Sequence, residues 1–352
     1  MQALRFNMKI LQDYSLNELK EILGEFNLPK FRIDQIFLWG TNYVPFCDMS
    51  NLPQSLREQL KEKFIELPVK IKHEYISQDG TVKFLYELSD GELIEGVLMK
   101  YKYGYTLCVS TQVGCRMGCS FCASGLDGLI RNLSAGEILG QVLCVNKYLG
   151  GNKEDRKITN IVLMGSGEPL DNYDNVIKFI KIISSKESLN ISQRNISLST
   201  CGLADKIRKL TDEGLGITLT ISLHATTEET RKNLMKVANA FSLEELMDAV
   251  RYYYEKTKRR IVFEYIMLEE NTTVSDALRL RALTRGIACH VNLIPVNYNK
   301  DCKNKPISKE RENKFWKALK EQGISATTRR TLGSDIEGAC GQLKRRVLKD
   351  GL

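Results

Sequence analysis

The sequence predicts an α/β fold: a partial parallel barrel of strand–helix units, preceded by a small helical module and a few antiparallel strands. Three observations carry this. From Tyr105 onward, short apolar segments alternate with amphipathic ones, the pattern of β/α units on a parallel sheet. Before that, the turn pairs Asp79-Gly80 and Asp90-Gly91 separate three short strand-like runs. At the start, Ser15 followed by Glu18 makes a capping-box pattern ahead of apolar residues spaced three and four apart.

Taken in order, residues 1–68 read as the helical module. LNELKEILGEF follows Ser15, a second helix falls near Phe31–Trp39 and a third near Pro53–Phe64. Lys30, Arg32, Arg57, Lys61 and Lys63 make this module basic enough to grip phosphates, although a solvated helix face accounts for each charge taken singly. Residues 69–104 read as a small antiparallel sheet with strands at Lys72–Ser77, Val82–Leu88 and Leu93–Met99. Glu95 falls in the middle of the third, in LIEGV, where a carboxylate ordinarily faces solvent.

Residues 105–352 read as the barrel. Strands are expected at Leu107–Gln112, Ile158–Met164, Asn195–Ser199, Ile217–Leu223, Ile261–Met267, His290–Val296 and Ser325–Thr328. Helices are expected between them, at Ser134–Leu149, Asn175–Ser184, Ala204–Asp212, Leu243–Lys256, Val274–Thr284 and Ser308–Gln322. That many units favour a barrel over an open doubly wound sheet, and chemistry then collects at the C-terminal strand ends. Polar clusters stand there: Gly165–Pro169, Ser199–Gly202, Ser222–His224 and Asn292–Asn297.

The 352 residues suffice for one large domain and a small one. With 43% hydrophobic and 27% charged residues the chain reads as globular. No apolar run reaches the length of a membrane span, and the N-terminus lacks the features of a signal peptide. A cytoplasmic chain with no membrane partner is therefore expected. Ten cysteines in a reducing compartment point to metal or redox chemistry ahead of disulfides. The net charge of +8 favours a polyanionic partner such as RNA, weakly when taken alone. Basic clusters at Lys100-Tyr101-Lys102-Tyr103, Lys258-Arg259-Arg260, Arg329-Arg330 and Lys344-Arg345-Arg346 suit the same partner.

The most informative stretch is TLCVSTQVGCRMGCSFC, Thr106 to Cys122, with Cys115, Cys119 and Cys122 at C-x3-C-x2-C spacing. A cubane 4Fe–4S cluster normally takes four thiolates. Three on one loop leave one iron open to a small molecule. A zinc site wants a fourth Cys or His at comparable spacing, and the next candidates are Cys144, in an expected helix, and His224. Inert buried thiols would form an apolar stripe, whereas Arg116, Gly118 and Ser120 alternate with these three.

This loop resembles that of the radical S-adenosylmethionine (SAM) enzymes. Around it, TLCVSTQVGC, RNLSAGEILGQV, ITNIVLMGSGEPLDN, ISLSTCG, ISLHA, HVNLIPVN and IEGACGQL follow in order, and nearly the whole chain resembles the radical-SAM RNA adenine-C2 methyltransferases. The resemblance implies a radical-SAM partial barrel, one 4Fe–4S cluster on Cys115, Cys119 and Cys122, and two SAM molecules per turnover. It implies methylation of adenine C2 in 23S rRNA and tRNA. Cys340 would accept the methyl group, Cys108 would attack the sulfur of Cys340 to release product, and Glu95 would take the C2 proton. SAM would be held by Gly167, Glu168, Ser199, Ser222, Leu223, His224 and Asn297. A flavodoxin- or ferredoxin-type electron donor and a monomeric enzyme are further expectations.

The paralogous adenine-C8 methyltransferases share the cluster and both cysteines but read GEA where Gly167–Pro169 reads GEP. A radical-SAM enzyme with a non-RNA substrate would need neither Cys108 nor Cys340. Two positions depart from the family pattern: Lys236 in LMKVANAF stands where Pro is expected, and Ser166 stands where Met is common. The first leaves the conformation of its loop open. Cys47, Cys144, Cys201, Cys289 and Cys302 match no catalytic position, and Cys201 falls near the expected SAM pocket.

Overall fold

The computed structural model describes residues 8–296 and 306–338. Asn297, Cys302, Cys340 and the Lys344-Arg345-Arg346 cluster therefore lie outside the described residues.

The chain opens with helices α1 (Leu16–Ile22), α2 (Lys30–Thr41) and α3 (Gln54–Lys63). Ser15 and Glu18 form the capping box read from the sequence: the Ser15 hydroxyl accepts the Glu18 N–H and the Glu18 carboxylate accepts the Ser15 N–H. α1 stops short of the expected LNELKEILGEF run, and a 3-10 turn carries Leu23–Phe26 around the poor helix former Gly24. The three helices close on a core of their own, with Leu19, Ile36, Phe46, Leu60 and Phe64 fully buried. This module docks on the barrel where the Asp13 carboxylate accepts the Gly136 N–H at 2.6 Å.

The strands are β1 (Val69–Ile76), β2 (Val82–Leu88), β3 (Leu93–Tyr101) and β4 (Gly104–Cys108). A short pair follows, β5 (Gln112–Gly114) and β6 (Leu129–Asn132), then α4 (Ala135–Tyr148). The repeating part runs β7 (Ile158–Leu163), α5 (Tyr173–Ile183), β8 (Ile196–Thr200), α6 (Ala204–Asp212) and β9 (Thr218–Ser222). It continues with α7 (Glu228–Leu234), α8 (Leu243–Thr257), β10 (Ile261–Met267), α9 (Val274–Leu283), β11 (Cys289–Pro295), α10 (Lys309–Glu321) and β12 (Ala326–Thr328). The result is the α/β architecture expected from the sequence, with helices packed on a parallel-dominant sheet.

One sheet of ten strands holds all of these but β5 and β6, in the order β1-β2-β3-β4-β7-β8-β9-β10-β11-β12. Neighbours from β4 to β12 are parallel, and those from β1 to β4 are antiparallel. The strands over 69–101 are thus antiparallel as expected, but they do not form a small sheet apart. They edge the barrel sheet, because β4 pairs with β3 on one side and β7 on the other. The expected strand Leu107–Gln112 is also cut in two. It leaves the ladder after Cys108, and the Thr111 N–H turns to the Ser166 carbonyl at 2.8 Å. Sequence reading left α7 out; Thr227 caps it by accepting the Thr230 N–H.

After β12 the chain returns from one edge of the sheet toward the other. Leu332 packs against the small cluster of Val97, Met99 and Cys108. The Gly333 N–H donates to the Asp79 carboxylate at 2.9 Å, and the Asp335 carboxylate accepts from the Ser77 hydroxyl at 2.6 Å and the Gln78 N–H at 3.1 Å. The last described segment thus crosses the C-terminal end of the barrel and clips onto the turn between β1 and β2. Among the described residues no helix is long and apolar enough to cross a membrane.

Candidate active site

The three cysteines of the C-x3-C-x2-C loop sit between β5 and β6, and that antiparallel pair fixes both ends of the loop. The Cys115 N–H donates to the Gly128 carbonyl at 2.9 Å, and the Ser120 N–H donates to the Leu234 carbonyl at the end of α7 at 2.9 Å. Gly118 has φ +60, and a Cβ there would lie 3.1 Å from the Lys236 side chain. The departure at Lys236 therefore lies along the cluster loop itself. Arg116 grips the Asp171 carboxylate with two nitrogens and ties the loop to the start of α5.

Cys115, Cys119 and Cys122 all line one open cleft, which holds about 1140 Å³ of empty space out to bulk solvent. Burial, then the neighbouring thiols, pushes Cys119 far up, and burial pushes Cys115 up to about 12. Bound metal displaces those protons and keeps the sulfurs as thiolates. Among the described residues no three His, Cys, Asp or Glu are gathered around a point that one ion could fill. Three thiols that all line one cavity fit a cluster, which they would hold through their sulfurs.

The opposite wall of the cleft is made by strand ends. Gly167 follows β7 with φ +105, and a Cβ would stand 2.6 Å from that of Gln112, so only glycine fits. Gln112 accepts the Glu168 N–H at 2.9 Å and donates to Asp171 at 2.8 Å. Glu168 is buried, and its carboxylate accepts the Cys201 N–H at 2.7 Å and the Leu170 N–H at 3.0 Å. Burial raises its pKa against those two bonds. The side chain thus clamps the β7 loop to the end of β8.

Ser199 and Ser222 border the cleft with their hydroxyls 3.4 Å apart. His224 also borders it, in the left-handed region at φ +57, a strained state for a non-glycine residue. Asn271 holds it there, donating to the carbonyls of His224 and Ile266 at 2.8 and 2.7 Å. The Ile266 N–H donates to Nδ1 of His224 at 3.1 Å, which leaves the ring proton on Nε2. Burial, then the charge of Arg231, lowers its pKa to about 3, so the ring is neutral. Leu223 differs from the rest: its side chain lies in the main core, and it shapes the turn without facing the cleft.

Sequence reading missed three polar residues here. Glu264, in the apolar run of β10, lines the cleft; it accepts from Asn292 at 3.1 Å and pairs with Arg329 at 3.7 Å. Burial raises its pKa against the charge of Arg329. Arg231 is wholly buried and donates to the Cys201 carbonyl at 2.7 Å. Asn271 is the third. The legible signal was a charged or amide residue inside an apolar strand or beside a strand end.

Glu95 and Cys108 lie on the neighbouring, antiparallel part of the sheet. Val97 on β3 faces Cys108 on β4, and Glu95 is one same-face step along β3. Both side chains are buried, Glu95 at 5% exposure and Cys108 at 6%, so Glu95 is not the solvent-face carboxylate that its strand position suggested. Met164, which lines the cleft, packs against the small cluster that Cys108 forms with Val97 and Met99. The two residues therefore adjoin the cluster pocket.

Tyr101 and Tyr103 stack with rings 5.0 Å apart at 6°, and Tyr103 is 65% exposed. Arg329, read as a surface cation, instead turns into the cleft toward Glu264.

Residues 109–280 match the family model of the Radical SAM superfamily. The chain is 50% identical to a Clostridium novyi (strain NT) protein named "Probable dual-specificity RNA methyltransferase RlmN", over 97% of this chain and 100% of that one. It is 52% identical to the protein of the same name from Clostridium botulinum (strain Eklund 17B / Type B), over 97% of this chain and 98% of the other. Among solved structures, the crystal structure of a radical SAM methyltransferase from Sphaerobacter thermophilus superposes with a TM-score of 0.91 at 40% identity, covering 95% of this chain and 99% of that one.

Proposed function

This chain belongs to the RlmN family of radical SAM RNA methyltransferases, and from that premise we propose that it methylates C2 of a specific adenine in 23S rRNA and in tRNA, through a methyl group first carried on Cys340. Bound cluster and SAM, two molecules of SAM per turnover, supply a methyl group and a carbon-centred radical; adenine C2 is electron-poor and yields to such a radical where it resists ordinary methyl displacement. The thiolates of Cys115, Cys119 and Cys122 hold the cluster. Gly167, Glu168, Ser199, Ser222 and His224, which line the cleft, would hold SAM, with Leu223 in the turn between the last two; Asn297 is assigned the same task from the sequence pattern alone.

Cys340 holds the methyl carbon as a thioether. Once that carbon is bonded to C2, the RNA is covalently attached to the enzyme. Glu95 removes the C2 proton. The Cys108 thiolate then attacks the sulfur of Cys340, and the S–C bond breaks with its electron pair going to the product carbon. That carbon takes up a proton to become the methyl group, the unpaired electron left by radical addition passes to the electron-transfer partner, and a Cys108–Cys340 disulfide remains.

One observation carries this reading. Glu95 and Cys108 share a buried face beside the cluster cleft, and the segment that leads to Cys340 packs Leu332 on that face. Gly338, the last described residue, is two positions before Cys340, a reach of at most about 7 Å. The helical module of residues 1–68 and the Tyr101–Tyr103 stack serve as RNA-holding surfaces. A flavodoxin- or ferredoxin-type donor in the cytoplasm reduces a monomeric enzyme. Pro169, in Gly167-Glu168-Pro169, supports C2 over C8.

The two cysteines should fail differently. Cys340→Ala is expected to make neither methylated RNA nor a covalent complex. Cys108→Ala is expected to form the complex and keep it, giving a slow band on a denaturing gel that ribonuclease collapses. Normal turnover by either variant overturns the two-cysteine reading, and a methyl group found at C8 in digested product moves the chain to the paralogous activity.

A further inference from the structure

The face that carries Glu95 and Cys108 also carries a buried lysine. Cross-strand register sets Tyr75, Lys83, Val97 and Cys108 in one row across β1, β2, β3 and β4. Lys83 is 3% exposed. Its ammonium lies 3.5 Å from Oε1 of Glu95 and 5.1 Å from the centroid of the Tyr75 ring. Lysine is among the residues least often fully buried. The other titratable groups that the described strands turn toward this face are Lys70, His73 and Tyr75 on β1, Glu87 on β2, Tyr101 on β3 and Cys108 on β4.

We propose that Lys83 is a positioning residue that keeps Glu95 ionised, in its proton-accepting form, until the RNA adduct is in place. The inference rests on the reading of Glu95 as the base.

Burial by itself drives a carboxyl group toward its neutral acid, and a neutral acid takes no proton. An ammonium at 3.5 Å opposes that shift, because an opposite charge at this range favours the ionised form. When Glu95 acts, the C2–H bond breaks, its electron pair stays with the ring, and the proton becomes the acid hydrogen of Glu95. Lys83 is then a buried cation beside a neutral acid. That state is less stable than the pair and favours loss of the proton to solvent, which resets the site. The position of Glu95 is fixed from a second side, since the Ser110 hydroxyl donates to its backbone carbonyl at 2.7 Å. An ion pair with only a structural role would behave otherwise: its loss would lower stability without moving any pH profile.

The test compares Lys83→Gln and Lys83→Arg in the reconstituted full-length enzyme with its RNA. Lys83→Gln is expected to accumulate the crosslinked adduct near pH 7 and clear it near pH 9, the acid limb of adduct decay moving up by about one unit or more, a slowing of about tenfold near neutrality. Lys83→Arg keeps the charge and should follow the wild-type profile. A second readout needs no turnover: difference infrared spectra between wild type and Glu95→Gln should show an ionised Glu95 near pH 7, and the same pair in the Lys83→Gln background a protonated one. A wild-type pH profile in Lys83→Gln overturns the inference. So does a protonated Glu95 near pH 7 in the wild type, which decides the matter even if Lys83→Gln does not fold. Glu95→Gln separates the two readings, because it should trap adduct at every pH. If it traps nothing, Glu95 is not the base; if it traps adduct while Lys83→Gln behaves as wild type, only the role of Lys83 falls.

Discussion

The parallel and antiparallel halves of the one sheet build the site in different ways. In the parallel half, the functional groups stand where strands end: Gly167 after β7, Ser199 at the end of β8, Ser222 and His224 at and after β9. Here the strands are scaffold and the loops carry the chemistry, as in other barrels. In the antiparallel half the functional groups stand inside or at the tips of the strands themselves: Lys83 in β2, Glu95 in β3, Cys108 closing β4. A strand-end residue can be replaced with its loop. A mid-strand residue is fixed by register, since a slip of one position would turn Glu95 and Lys83 to the opposite face.

The sharpest way to break this comparison is at the cluster loop. Cys119→Ala should abolish cluster absorption and all methylation, yet leave the antiparallel wall intact. A Cys108–Cys340 disulfide should still form when the purified variant is oxidised, as a thiol count would show. Loss of both together would mean that the two halves are not independently built.

A second effect concerns His224 on the parallel side, and it is a matter of pH. The buried ring is held neutral, with its pKa lowered from 6.5 to about 3. In the unfolded chain the same imidazole takes up a proton below its ordinary value, so the unfolded state binds more protons across that window. Stability should therefore be full above about pH 6.5 and fall with acidification toward pH 3, by up to about 1.4 kcal/mol per pH unit. Chemical denaturation of His224→Gln should show a shallower acid slope than wild type. Equal slopes would remove His224 from the account.

The smallest expected effect is at the antiparallel edge. Burial alone would raise the carboxyl of Asp79, but the Gly333 N–H, with Thr81 and Ser77, brings it down to about 2. Asp79→Ala removes the bond to Gly333 and should cost about 1 kcal/mol of global stability or less. It should nonetheless slow formation of the Cys108–Cys340 disulfide several-fold, because the segment before Cys340 loses its clip. An unchanged oxidation rate would show that Leu332 alone seats the segment.

Much of the parallel half was legible because its signals are local. The capping box read at Ser15, in the helical module, is formed, and in the parallel half the spans Ala204–Asp212 and Ile261–Met267 fall on the expected residues. The antiparallel half was less legible because its meaning is long-range. Glu95 in LIEGV reads as a solvent-face carboxylate until β4 and the returning C-terminal segment cover that face. Lys83 is invisible for the same reason, since nothing within β2 announces a partner twelve positions away. Leu223 shows the converse: the stretch Ser222–His224 was read as one polar cluster, but alternation along the chain sends its middle side chain into the core.

The clip between the β1–β2 turn and the last described segment joins residues 254 to 258 positions apart. During synthesis the turn is made early, and its counterpart follows only after β12, so the clip closes once every described strand of the sheet has been made. A nascent chain can therefore make its cluster loop and the strand ends of its cleft before the segment that precedes Cys340 exists. On the two-cysteine reading, a chain cut just before Cys340 would keep the residues that line the cleft and lose the attachment of RNA.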